Sequence, residues 1–306
     1  MRACISKTIL EIIKLTTKPP NIIHPVPLLV FLIYSQSEQE INSLISATLF
    51  SLLFYSAVNL WNHINDIEED RLAGKNNIFI INSGVRKSAV VLVITMFILS
   101  FVSMLTNTKD RTGIMLFLAV FIVTWIYSDK MFFGRFIRRW KEHYITEVLT
   151  FIIAVPTYTL LIWTFFDELS FKAIALATSM TFLILSGTFL KDLRDITGDE
   201  LAGLKTLGVV FKPKTLLKFS TLMVWIYYIT ILLFIYINVY NQLTIFVLAP
   251  WVCLIYSTAK FIKSQWRISP DLVEHIRLMV YSSILSVILF VISGLLSQSL
   301  QTFQFH

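Results

Sequence analysis

The chain has 306 residues, of which 56% are hydrophobic and only 15% charged. Soluble domains run nearer to half apolar and a quarter charged, so a large soluble core is excluded and a polytopic membrane protein is indicated. The formal charge of +7 does not point to nucleic acid, because the basic residues follow membrane topology.

In chain order, residues 1–20 read as an interfacial helix. Ile5, Ile9, Ile12 and Ile13 share a helical face away from Lys7 and Lys14, and Pro19–Pro20 ends it. No signal-peptide cleavage pattern is evident. Apolar runs then recur near 22–36, 42–61, 88–106, 113–128, 145–164, 171–190, 216–238, 242–260 and 276–296. A span needs about 20 apolar residues, so nine transmembrane helices are predicted, with kinks at Pro156 and Pro250. The expected fold is an all-α membrane bundle, with residues 1–306 as one unit.

Nine spans send alternate loops to opposite sides. Of the 26 Lys and Arg, only Lys109, Arg111 and Lys172 fall in one set of loops. The positive-inside rule places the basic set in the cytoplasm, with the N-terminus inside and the C-terminus outside. Cys4 and Cys253 form neither a disulfide framework nor a zinc pattern. Arg135, Arg138 and Arg139 read as lipid-headgroup anchors.

Two acidic stretches stand out on the predicted cytoplasmic side. Asn62-His63-Ile64-Asn65-Asp66-Ile67-Glu68-Glu69-Asp70 follows the second run, and Asp192-Leu193-Arg194-Asp195-Ile196-Thr197-Gly198-Asp199-Glu200 follows the sixth. On a helix, Asn62, Asp66 and Asp70 share a face at i, i+4 and i+8. Asp192, Asp195 and Asp199 share one at i, i+3 and i+7. Carboxylates this close repel unless a cation lies among them. A ligand set made only of oxygen suits Mg²⁺, which completes its shell with water and phosphate. Two such patches face to face would hold a diphosphate and assist its departure. The plainer alternative is solvated charge at helix ends. His63 reads as a polar helix-end residue rather than a base.

Asn62-x3-Asp66-x3-Asp70 and Asp192-x2-Asp195-x3-Asp199 resemble the two signatures of the UbiA superfamily of intramembrane prenyltransferases. The run Lys191–Leu207 resembles the family's second motif and the stretch beyond it, and Lys18-Pro19-Pro20-Asn21 resembles the start of its first helix. The resemblance implies a bundle around a central cavity open laterally to lipid. It implies Mg²⁺-dependent transfer of an isoprenyl chain, such as geranylgeranyl, from its diphosphate to a hydrophobic acceptor by way of an allylic cation. Quinone-ring precursors and prenylated glycerol phosphates are among the family's acceptors. By position, Asn62, Asp66 and Asp70 correspond to one metal–diphosphate patch, and Asp195 and Asp199, supported by Asp192, to the other. Asn62, Lys130, Arg194 and Tyr127 are the expected diphosphate contacts. Tyr55 and Tyr127 are expected in the cavity. One departure is visible: Ser83–Gly84 matches the family, but the Arg-Pro pair that often precedes it is absent. A terpene cyclase using the same donor without acceptor is the nearest rival. A cation or lipid transporter fits less well, because the carboxylates sit at span ends.

Overall fold

The computed structural model describes residues 12–14, 16, 26–37, 40–74, 77–81 and 83–304. Most of the expected interfacial helix and all of Lys18-Pro19-Pro20-Asn21 lie outside the described residues. Within them the chain is helical: α1 (Val26–Gln36), α2 (Ile41–Asn65), α3 (Ile67–Leu72), α4 (Ile78–Ile81), α5 (Ser83–Asn107), α6 (Thr112–Ser128), α7 (Tyr144–Trp163), α8 (Phe171–Leu201), α9 (Leu207–Val210), α10 (Pro213–Tyr236), α11 (Trp251–Lys263) and α12 (Pro270–Gln304). Short 3₁₀ turns occupy Phe133–Arg135, Trp140–Glu142 and Gln242–Leu248.

Seven of these segments are long and apolar enough to cross a membrane: α2, α5, α7, α8, α10, α12, and Gln242–Lys263 taken as one. Apolar but shorter helices, α1 and α6, stand at the other two of the nine expected positions. Pro156 is carried inside a continuous α7. At Pro250 the chain changes from the 3₁₀ turn to α11, since proline cannot donate within a helix.

The loops segregate to opposite ends of the bundle. At one end Lys109 pairs with Glu40 at 3.2 Å, its amide donates to the Thr164 carbonyl, and Leu169 N donates to Asp110. At the other end the segments after α2, α6 and α8 meet. There Lys205 N donates to the Glu142 carbonyl and Tyr144 N to the Lys205 carbonyl.

Aromatic packing fixes α2, the helix that leads into the first acidic stretch. Trp61 stacks on Trp125 of α6 with ring centres 4.3 Å apart, and Phe54 meets Phe97 of α5 edge-on at 5.6 Å. Such pairs add to simple area burial. On the other side α8 packs against α10 and α7, with Ser186 and Ser220 hydroxyls 2.8 Å apart. Small polar residues let membrane helices approach closely.

The end of α8 is built by its sequence. Gly203 has φ +68°, a conformation that costs glycine little. It allows Gly203 N to donate to Glu200 O and Leu204 N to Asp199 O, the paired bonds of a Schellman cap. The chain then turns back so that α9 lies on α8. A Cβ on Gly208 would stand 2.5 Å from the Asp192 carbonyl. Gly208→Ala is therefore expected to destabilise the protein by about 1–3 kcal/mol through overpacking. Thermal unfolding in detergent checks this, with Gly187→Ala, whose Cβ meets nothing within 4 Å, showing little change.

Candidate active site

The first acidic stretch does not run on as one helix. α2 ends at Asn65, and Asp66 (φ −98°, ψ 15°) joins it to α3. The i to i+4 bonds nevertheless continue through the junction: Asp66 N donates to Asn62 O at 2.9 Å, and Asp70 N to Asp66 O at 2.8 Å. Asn62, Asp66 and Asp70 thus keep the common face expected for them. All three line a cavity of about 180 Å³, and Asp192 and Asp199 of α8 line the same cavity. The side chains of Arg194 and Asp195 lie outside the described residues; their backbone belongs to α8.

Each acidic residue is held by neighbours. Asp70 is buried and accepts from Asn77 Nδ2 at 2.9 Å, with His63 Nδ1 3.6 Å away. Asn77 also donates to the His63 carbonyl, which pins the segment after α3 to the end of α2. Asn62 Oδ1 accepts from the Ser128 hydroxyl. Across the cavity Asp199 accepts from Thr206 Oγ1 at 2.8 Å, and Asp192 is buried.

The cations are arranged differently from expectation. Arg139, read from sequence as a headgroup anchor, is only 3% exposed. Its guanidinium meets Asp66 Oδ1 at 3.2 Å, Glu69 Oε1, and Glu142 Oε1 at 2.6 Å. A buried guanidinium needs such partners, and three carboxylates close by outcompete a lipid headgroup. Burial pushes the Glu69 carboxyl up, but the adjacent Arg139 outweighs it and holds Glu69 below the usual carboxylate range. Lys130 pairs with Glu68 at 3.1 Å and Glu69 at 3.2 Å, and it is not among the residues lining the cavity. Lys141 is: its ammonium contacts Asp66. Lys191 lines the cavity as well.

Sequence reasoning missed Lys141, Arg139, Asn77 and Glu147. Glu147 is 3% exposed, lines the cavity, and accepts from Leu207 N at 3.4 Å. A signal for it existed, since a carboxylate within a predicted span is a functional-site candidate by default. Arg139 and Lys141 carried no such signal; they sit in a basic loop that topology alone accounts for.

The polar cavity continues into an apolar one. Asn59, Asn62, Tyr127 and Lys191 line both. The second cavity, about 400 Å³, runs between α2, α6 and α7 and includes Tyr55 and Tyr127, where both tyrosines were expected. A third, about 310 Å³, meets it at Phe151, Ile184 and Lys191, and is bordered by Leu28, Val224 and Val287. Carboxylates at the mouth of an apolar tunnel suit a ligand with an anionic, metal-binding head and a hydrocarbon tail.

A family model for the UbiA prenyltransferase family matches residues 25–284. A protein of Archaeoglobus fulgidus, described as an uncharacterized protein, is 35% identical over 286 residues, covering 93% of this chain and 98% of that one. Three solved structures share the fold. A digeranylgeranylglyceryl phosphate synthase has TM-score 0.69 at 16% identity, covering 94% of this chain and 99% of the other. A UbiA homologue from Archaeoglobus fulgidus, bound to GPP and Mg²⁺, has TM-score 0.61 at 18% identity, with 93% and 98% covered. A UbiA homologue from Aeropyrum pernix K1 has TM-score 0.66 at 14% identity, with 92% and 99% covered.

Proposed function

Because the chain belongs to the UbiA prenyltransferase family, we propose that it transfers an isoprenyl chain from an isoprenyl diphosphate to a hydrophobic acceptor within the bilayer. The observation that carries this reading is the joining of two acidic helix faces and one apolar tunnel at Asn62, Tyr127 and Lys191. In the similar Archaeoglobus structure, GPP and Mg²⁺ are the bound species.

The donor set fits Mg²⁺. The cavity offers Asn62, Asp66, Asp70, Asp192 and Asp199 oxygens. Such an all-oxygen donor set suits an ion which takes one or two carboxylates and fills its shell with water and substrate phosphate. Asn62, Asp66 and Asp70 would hold the ion on one side, and Asp192 and Asp199 on the other, with Asp195 assigned to the second set by its place in the motif. Bound Mg²⁺ would neutralise the charge that builds on the departing diphosphate.

The chain's own residues do the rest. Lys141 and Lys191 lie in the polar cavity and bind phosphate oxygens as point charges. Arg139 fixes Asp66 and Glu69, so the first acidic face is set before substrate arrives. The tunnel walls exclude water from the allylic cation that remains when the C1–O bond breaks, and Tyr127 at the mouth is the aromatic residue available to stabilise it. The acceptor then forms a bond to C1 and releases a proton. A prenylated glycerol phosphate or a quinone-ring precursor is the acceptor class, entering from lipid beside Leu28 and Val287. The crowding of Lys and Arg into one set of loops supports a site that faces the cytoplasm, in a nine-span bundle formed by the whole chain.

The test is diphosphate release by the purified protein in lipid vesicles, supplied with isoprenyl diphosphates and Mg²⁺. Release that EDTA abolishes, with a prenylated product only when a membrane-lipid extract is present, is the expected result. A cyclised hydrocarbon formed without extract would assign a terpene cyclase instead. No release from any donor by folded protein would end the enzymatic reading.

A further inference from the structure

We infer that Tyr55 and Tyr158 form the floor of the isoprenyl tunnel and limit the donor to two or three isoprene units. The inference rests on the prenyl-transfer reading and deepens it, since the family resemblance alone pointed to a longer, geranylgeranyl donor.

Three helices independently set the depth. The tunnel begins at the level of Asn62, Tyr127 and Thr150, where it joins or borders the polar cavity. Among the described residues, nothing on α2 before Phe54, on α6 before Val120 or on α7 after Thr159 lines it. At 1.5 Å per residue these intervals each come to about 10–14 Å. An extended isoprene unit has four backbone C–C bonds of roughly 1.5 Å, or about 5 Å of length once bond angles are allowed for. Two units fill the depth and a third must curl. Volume agrees. At about 30 Å³ per chain carbon, the share a water-sized group takes in a liquid, the straight tunnel's 400 Å³, taken without the side cavity that joins it at Ile184, holds on the order of 13 carbons.

The floor is a braced pair of rings. Tyr55 and Tyr158 meet edge to face at 5.2 Å. Behind them, Tyr158 OH donates to Ser51 Oγ at 2.8 Å, and Phe54 stacks on Tyr158 at 5.7 Å. Tyr158 is buried, and moving it would strand its hydroxyl in a membrane interior. A polar group left unpaired there is costly, so the floor does not yield to a longer chain. The side opening past Ile184 leads into the lipid-side cavity through which the acceptor enters, so the straight course to the tyrosines is the one left to the donor chain.

The experiment compares kcat/KM for diphosphate release from C10, C15 and C20 donors, in lipid vesicles with Mg²⁺ and the lipid extract. The wild-type protein is expected to use C10 or C15 at least tenfold better than C20. Tyr55→Ala, which removes half of the floor, is expected to raise the C20:C10 ratio at least tenfold; Tyr55→Leu is the milder form should alanine impair folding. Val58→Trp, filling the tunnel one turn above the floor, is expected to lower the C15:C10 ratio by a similar factor. A wild-type enzyme that uses C20 as well as C10 would overturn the assignment, and loss of that C20 use in Ile184→Trp would show the side route at work. A C20:C10 ratio unmoved by either Tyr55 variant would overturn it too. Absence of release from all three donors is a different failure: it rejects prenyl transfer itself.

Discussion

Asp66→Ala is expected to lower Mg²⁺-dependent diphosphate release by about 10²–10³-fold, the range seen when one preorganised electrostatic contact to a transition state is removed. Asp66 is the member of the first acidic face that meets the basic loop. Its carboxylate reaches Lys141 and Arg139 while lining the cavity. Without it, the first face keeps Asn62 and Asp70 but loses the central oxygen ligand, and Lys141 loses its anchor. The fold is expected to persist, because Arg139 retains Glu69 and Glu142. Equal thermal midpoints for the two proteins, measured beside the release assay, separate a lost ligand from a lost structure. A variant with full activity would remove Asp66 from the site.

Arg139→Met is expected to act the other way round, on structure first. It strips the counter-ion from Asp66, Glu69 and Glu142 at once. Removing one partner of a buried ion pair typically costs about 3–5 kcal/mol, since the remaining charge is left in a poor solvent. Adding Glu69→Gln to Arg139→Met is expected to recover part of the loss, and the double-mutant cycle measures their coupling. The pair also predicts an acid response. Glu69 is held below its ordinary value of 4.5. Its contribution to stability is therefore fully present above that value and is lost as pH falls through the depressed one. In Arg139→Met this acid-dependent fall is expected to shrink. Unfolding midpoints measured from neutral pH down into the acid range give the comparison.

Much of this molecule is legible in its sequence, and the reasons differ by residue. Apolar runs and the sparse charges of Lys109, Arg111 and Lys172 mark the helices and their alternation, because bilayer thickness and charge cost act on every span alike. Asn62, Asp66 and Asp70 are legible because helical spacing survives the junction at Asp66. Tyr55 is legible for the same reason, two turns from Asn62 on one helix face. Arg139 and Lys141 are not. They reach Asp66 through a loop whose path depends on Lys205 pairing with Glu142 and Tyr144, a long-range contact with no local periodicity. Glu147 is legible in principle, as a carboxylate inside the predicted span 145–164, but its place in the cavity follows only once α8 is brought against α7. Lys130 shows the converse: a basic residue in the right neighbourhood was taken by Glu68 and Glu69, which lie nearer.

The two acidic faces are mounted on unlike supports. The second rides on α8, a helix of 31 residues without a break, anchored along its length by α7 and α10. The first is carried past a joint at Asp66, on the six residues of α3, and is steadied from outside by Arg139 and Asn77. The site thus resembles a vice whose jaws are set by different means, one by the length of its own helix and the other by a brace from outside. Substitutions in the loop that carries Arg139 change the grip of the braced jaw and leave the other in place.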